Sequence, residues 1–344
     1  MTNKPYFINN NFYSKYSGIK SLHIKSSKYN GSIKYSIIIP TYGRADLLRD
    51  AINSCLRQTY KGDFEILVVD NDPVPANETE LVIFEINDSR ISYYKNAENI
   101  GCLPNFNRCI ELAISDYVIM LHTDDLLDSD YLSTIIPILD NHPEIDMLIP
   151  GKRIIKNEII SRQKGLGFLS RRLGFAKKVI QINERDFCHY NTTGGPLGIV
   201  MKKNLCMELG GFNEDIFPMS DYAFWVRMAK MHNVYYLPKE FGTYRFYENI
   251  SSEKGMQRNY IINEYYLIKD LISEKPYKKI LSGYLYEYIQ YRANVSGLNN
   301  DNIFVELTGE TYKFKLSRKL QFIHAIMELS LSFIIRAIKS QIRI

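Results

Sequence analysis

Between residues 35 and 149, short runs of β-branched residues alternate with stretches of helical period, an order that few architectures accommodate. The isoleucine-rich run 35–39 stops at Pro40, as a buried strand would. Leu47, Leu48, Ala51, Ile52, Cys55 and Leu56 then recur at helical spacing. Strands are expected again at 65–69, 91–95, 117–121 and 145–149, with helices through Phe106, Cys109, Ile110 and Ala113 and over 131–139. This alternation predicts an α/β fold with a mostly parallel sheet covered on both faces. Beyond it the pattern fades. Residues 151–186 mix basic side chains with glycines and read as an irregular basic connection, before a helix over 222–231 and helical patterns from about Tyr260. Residues 1–33 show no period and read as a loosely structured extension.

With 344 residues, 45% of them hydrophobic, the chain has enough apolar side chain for a real core. A net charge of +5 is too small to argue for a nucleic-acid partner. That charge is uneven: no acid precedes Asp46, and the last residues carry Arg318, Lys319, Arg336, Lys339 and Arg343 against Glu328. Five scattered cysteines with no CxxC pair argue against a disulfide framework or a structural zinc site, and fit a reducing cytosol. The opening residues do not read as a secretory leader, so a cytoplasmic chain is expected.

In an open parallel sheet, ligands bind beyond the carboxyl ends of the strands. Thr41, Tyr42 and Arg44 follow the first strand, Asp70 the second, and His122-Thr-Asp124-Asp125 the strand ending at Leu121. Carboxylates gathered at one edge repel one another unless a cation joins them, and Mg²⁺ or Mn²⁺ suits a few carboxylates together with phosphate oxygens. Turn and cap roles for the same aspartates stay open. No GxxxxGK[ST] loop is present, and Gly165-Leu-Gly167 does not follow a strand, which disfavours a P-loop kinase or a nicotinamide enzyme.

Ser36-Ile-Ile-Ile-Pro-Thr-Tyr-Gly-Arg44, Glu65-Ile-Leu-Val-Val-Asp70, Asn99-Ile-Gly101 with Asn105-Phe-Asn107, and Leu121-His-Thr-Asp-Asp125 stand in the order of family 2 glycosyltransferases. Gly210-Gly-Phe-Asn213, Ser220-Asp-Tyr-Ala-Phe-Trp225 and Tyr244-Arg-Phe-Tyr247 continue it, so the chain resembles that family over roughly 35–252. The resemblance implies a GT-A fold, a UDP-, GDP- or dTDP-sugar donor, a divalent metal (Mn²⁺ or Mg²⁺) and inversion at the anomeric carbon. It divides the chain into an extension (1–33), a nucleotide-sugar half (34–150), an acceptor and catalytic-base half (151–255) and a C-terminal helical region (256–344).

Residue by residue, the resemblance places Thr41, Tyr42, Arg44, Asn99, Gly101 and Asn107 on the donor and Asp70 at the base or ribose. It places Asp124 near the ribose or donor sugar, Arg245 near the diphosphate and Asp125 on the metal. Asp221 resembles the general base, and Gly194 and Gly195 fall on the acceptor side; Trp225, one helical turn beyond Asp221, is placed there with it, while a core role for it stays open. The chain departs from the common pattern at His122, Gly43, Ser220 and Tyr247, the last standing where many members carry a histidine.

The stretch 320–344 is apolar but interrupted by charge, which suits an interfacial helix on anionic lipid better than a membrane span; packing back on the protein stays open. With the resemblance, this points to a lipid-linked glycan acceptor, such as a bacterial O-antigen or capsule, at the cytoplasmic face of the inner membrane. A non-catalytic sugar-nucleotide-binding protein and a sugar nucleotidyltransferase remain as alternatives.

Overall fold

The isoleucine run forms the middle of one large sheet. The computed structural model describes residues 10–29, 31, 33–156, 159–162, 170, 172–187, 191, 195–245, 253–273, 278–298, 303–309, 333–342 and 344. Its first half comprises β1 (Ser21–Lys25), β2 (Ile33–Thr41), α1 (Ala45–Leu56), β3 (Glu65–Asp70), α2 (Glu78–Ile86), β4 (Ile91–Asn96), α3 (Cys102–Leu112), β5 (Ser115–Met120), β6 (Leu126–Leu127) and α4 (Tyr131–Asn141). Then follow β7 (Met147–Lys156), β8 (Ile159–Arg162), β9 (Ile180–Ile182), β10 (Val200–Lys202), α5 (Lys203–Glu208), α6 (Ser220–Met231), β11 (Val234–Arg245), α7 (Lys254–Ser273), α8 (Lys278–Val295) and α9 (Ile303–Thr308).

The sheet runs β1-β4-β3-β2-β5-β10-β7-β11-β6, with β8 on β7 and β9 on β11. Strands β4, β3, β2 and β5 are parallel, and β10 enters antiparallel between β5 and β7. Successive side chains of a strand point to opposite faces, so a strand covered on both sides is apolar throughout. Accordingly Ile37, Ile39, Ile66 and Val68 pack with α1 and α4 through Leu48, Ile52, Leu132 and Ile135. Ile38, Leu67 and Val69 join the opposite core with Phe106 and Ile110 of α3 and Phe224 and Trp225 of α6.

Three expectations change. Residues 10–29 are built into the fold rather than loose: β1 pairs antiparallel with β4, and Tyr13 is buried with its hydroxyl donating to the Cys206 carbonyl at 3.2 Å. Arg108 of α3 ties this segment down by donating to the Tyr16 and Ile19 carbonyls and to Ser21 Oγ. The first part of 151–186 is strand, since β7 continues through Lys156 and returns as β8. Its pattern was hidden because Lys152 and Arg153 take part in it, the first buried and the second paired with Asp128.

The C-terminal end packs back on the body. Phe333 and Ala337 are in the core, Arg336 pairs with the buried Asp186, and Val179 N–H donates to the Ile342 carbonyl at 3.0 Å. One of the basic residues that interrupt the apolar tail is thus neutralised internally. Among the described residues no helix is long and apolar enough to cross a membrane. Residues 310–332 lie outside the described set.

Candidate active site

The turn from β2 into α1 sets the first wall of the cleft. Gly43 (φ 63°) and Arg44 (φ 55°) are both left-handed, a conformation easy for glycine and uncommon for arginine. That double turn brings Arg44 Nη1 to 3.1 Å from Asp124 Oδ2. Beside it, Thr41, the exposed Tyr42, Asn71, Asn99 and Gly101 line a cavity of about 440 Å³. A buried amide network holds the loops behind it. Asn71 donates to Asn99 Oδ1 (2.7 Å) and accepts from Ile100 N–H and Asn96, while Asn96 donates to Asn105 and Asn105 to the Val69 carbonyl. Each amide in this chain depends on partners far apart in sequence, which is why Asn71 and Asn96 escaped notice.

A second cavity, of about 330 Å³, shares Arg44, Phe106, His122 and Asp124 with the first, so the two form one cleft. Its farther wall carries Gly195, Ser220, Asp221 and Tyr244, with Phe212, Phe217 and Pro218. Asp221 sits in the first turn of α6, and burial pushes its carboxyl up to about 6. The Tyr222 backbone N–H, Lys152 and Asn191 oppose that shift.

Asp124 and Asp125 follow β5 and are gripped by the end of β11: Arg245 N–H donates to Asp125 Oδ1 at 3.1 Å, and its Nε to the Asp124 carbonyl. Ligand atoms of His122, Asp124 and Asp125 lie within 4.8 Å of one another. Asp125 Oδ2 and His122 Nε2 are buried and have no hydrogen-bond partner among the described residues, an arrangement costly in an apolar interior and relieved by a cation. Burial, then Asp124, pushes the Asp125 carboxyl well up, while burial lowers His122 and keeps its imidazole neutral and able to ligate. Two carboxylates and an imidazole fit Mn²⁺ or Mg²⁺.

Several expected site residues hold the cleft from behind. Asp70 is buried and lines neither cavity; it accepts from Asp72 N–H (3.0 Å), Asn77 (2.9 Å) and Tyr93 (2.9 Å), so it fixes the loop that presents Asn71. Asn107 is a second correction: its amide both donates to and accepts from the Phe212 backbone, at 3.0 and 2.8 Å, stitching α3 to the Gly210-Gly211 turn. Trp225 is a third. It is 0% exposed, edge-on to Phe212 and Phe224, and lines neither of these two cavities. Arg245 also lies outside the cavity lining; its Nη1 pairs with Asp50 at 2.8 Å. Gly194 and Tyr247 lie outside the described residues.

Asn107→Ala leaves a backbone N–H and a carbonyl unpaired in the core, which costs about 2–4 kcal/mol. Urea denaturation of the full chain checks this; an unchanged midpoint would remove the stitch.

The sheet order and the cleft at its strand ends are those of the GT-A fold. S. aureus TarS 1–349 in complex with UDP-GlcNAc superposes with a TM-score of 0.58 at 17% identity, over 88% of this chain and 82% of that one. Mannosyltransferase PcManGT from Pyrobaculum calidifontis, in complex with GDP-Man and Mn²⁺, gives 0.52 at 14% identity, over 94% and 92%. Residues 36–195, a little under half of the chain, match the family model Glycosyl transferase family 2. The Campylobacter jejuni GalNAc(5)-diNAcBac-PP-undecaprenol beta-1,3-glucosyltransferase is 28% identical over 280 residues, 76% of this chain and 84% of that one. An uncharacterized glycosyltransferase of Rickettsia conorii is 27% identical over 256 residues, 73% of this chain but only 41% of its own length.

Proposed function

We propose that the chain transfers a sugar from a nucleoside-diphosphate donor to a hydroxyl of a growing glycan, with inversion and with a divalent cation. The observation that carries this reading is a single cavity bearing Asp124 and Asp221 and continuous with the cleft around Thr41, Tyr42 and Asn71. The nucleotide lies along the first cavity and the donor sugar enters the second. The acceptor oxygen attacks the anomeric carbon, its proton passes to Asp221, and the bond to the diphosphate oxygen breaks. Arg44, held on Asp124, brings positive charge to the junction where the leaving diphosphate forms. A cation held by Asp125 with Asp124 and His122 would supply further charge neutralisation there.

A lipid-linked acceptor, in bacterial surface polysaccharide synthesis at the cytoplasmic face of the inner membrane, completes the proposal. Its support is the undecaprenol-linked substrate in the name of the Campylobacter relative. Flotation with vesicles of anionic lipid tests the membrane contact, and no co-flotation at low salt would remove it. The activity is tested by release of nucleoside diphosphate from UDP-glucose, UDP-GlcNAc, GDP-mannose and dTDP-sugars, in Mn²⁺ and in chelator. Release from one donor that chelator suppresses is the expected result; no cation-dependent binding or release with any of them would overturn the reading.

A further inference from the structure

Nothing in the motif pattern points to Lys152, yet it reaches the same chemistry from the sheet. Its side chain, on β7, is 1% exposed, and its Nζ donates to the carbonyl of Gly195, which lines the cavity shared by Asp124 and Asp221. An ammonium has three donors, and this one finds a single protein acceptor among the described residues, with no carboxylate at ion-pair distance. Packing alone would be served as well by an apolar side chain of similar length. A buried charge is kept where other charges compensate it. Asp125 after β5 and Asp221 on α6 both act on the Lys152 ammonium, holding it up against the burial that lowers it to about 8. His122 also feels that charge. Asp221 is faced in turn by Lys152, by Asn191 and by Tyr260 of α7. Gly195 has φ 107°, a conformation that glycine holds without strain, so the direction of its carbonyl depends on the hydrogen bond it accepts.

We propose that Lys152 is a positioning residue of the transfer step: it fixes the Gly195 wall of the sugar cavity and supplies the positive charge that keeps the Asp221 carboxylate ready for the acceptor hydroxyl. This rests on Asp221 being the base. The test compares Lys152→Met, Lys152→Gln and Lys152→Arg in the full chain, using nucleoside-diphosphate release for kcat and calorimetry with UDP and GDP for binding. Lys152→Gln keeps a donor for Gly195 and removes the charge, whereas Lys152→Arg keeps the charge.

For both uncharged variants kcat falls about tenfold or more, nucleotide Kd stays within about twofold, and the acid limb of the kcat–pH profile moves to higher pH. Lys152→Arg recovers part of kcat and returns the limb toward its original position. Uncharged variants with wild-type kcat and an unmoved limb would overturn the proposal. So would failure of both to fold beside a normal Lys152→Arg, which would assign the lysine to stability. If Asp221→Asn transfers normally, the base assignment itself falls. An inactive Asp221→Asn beside a normal Lys152→Gln removes Lys152 alone.

Discussion

Asp221→Asn is expected to lower kcat about a thousandfold while changing nucleotide affinity no more than about twofold. The amide keeps the size of the side chain at the start of α6 but cannot take a proton from an alcohol. In the proposed binding mode the nucleotide lies in the first cavity, which Asp221 does not line. The wild-type pH profile carries the same signature. Burial raises Asp221 from 3.8 to about 6, so kcat is expected to fall as pH drops through about 6, with half the base ionised there. The linked effect on stability has the opposite sense. A carboxyl whose folded pKa is raised favours the folded chain fully below about pH 3.8, and that contribution is lost as pH rises through about 6. At pH 7 the wild type therefore bears an unfavourable buried charge that the amide lacks. Asp221→Asn should unfold about 2 kcal/mol later than wild type, allowing for its partial exposure. A dead enzyme that is also more stable is the outcome expected of a functional acid. Equal transfer by the two proteins would take Asp221 out of the base role.

The strands were legible because covered strands have little choice: with helices on both faces, 37–39 and 66–69 must be apolar at every position, and that is visible without a structure. Asp124 and Asp125 were legible for a related reason, since they follow the apolar run of β5 that fixes where they emerge, whereas Asp221, at the start of α6, was reached only through the family resemblance. What escaped is whatever depends on two distant segments at once. Lys152 reads as one basic residue among many until β7 is placed against Gly195. Asn107 reads as a ligand-binding amide until the Phe212 backbone is seen on both of its atoms. Trp225 misleads through helical geometry. Positions four apart share a helix face, which linked it to Asp221, but α6 is buried almost all round and meets the cavity only at its N-terminal end, so the shared face leads into the core. Residues 10–29 lacked a pattern because an edge strand with one partner needs no long apolar run.

For the proposed metal site, Asp125→Asn is the most informative change. The variant keeps an oxygen for the Arg245 N–H, so the β11 contact survives, and replaces the unpartnered, buried Oδ2 with an NH₂ that repels a cation. Mn²⁺ binding, followed by the electron paramagnetic resonance signal of free ion, is expected to weaken about a hundredfold at pH 7. UDP or GDP binding in Mn²⁺ should then drop to the level the wild type shows in chelator. Asp125→Ala loses the ion as well but also strips the Arg245 N–H of its acceptor, so only the alanine should lose substantial stability. Acidity gives an independent check. Burial and the neighbouring Asp124 favour the protonated Asp125 carboxyl, and an incoming cation must displace that proton, so wild-type Mn²⁺ affinity should decline as pH falls. Asp125→Asn has no such proton to lose, and its residual binding should depend less on pH. Mn²⁺ binding by Asp125→Asn equal to wild type would show that the buried oxygen is not a ligand, and the His122–Asp124–Asp125 cluster would then need another explanation for its orphaned atoms.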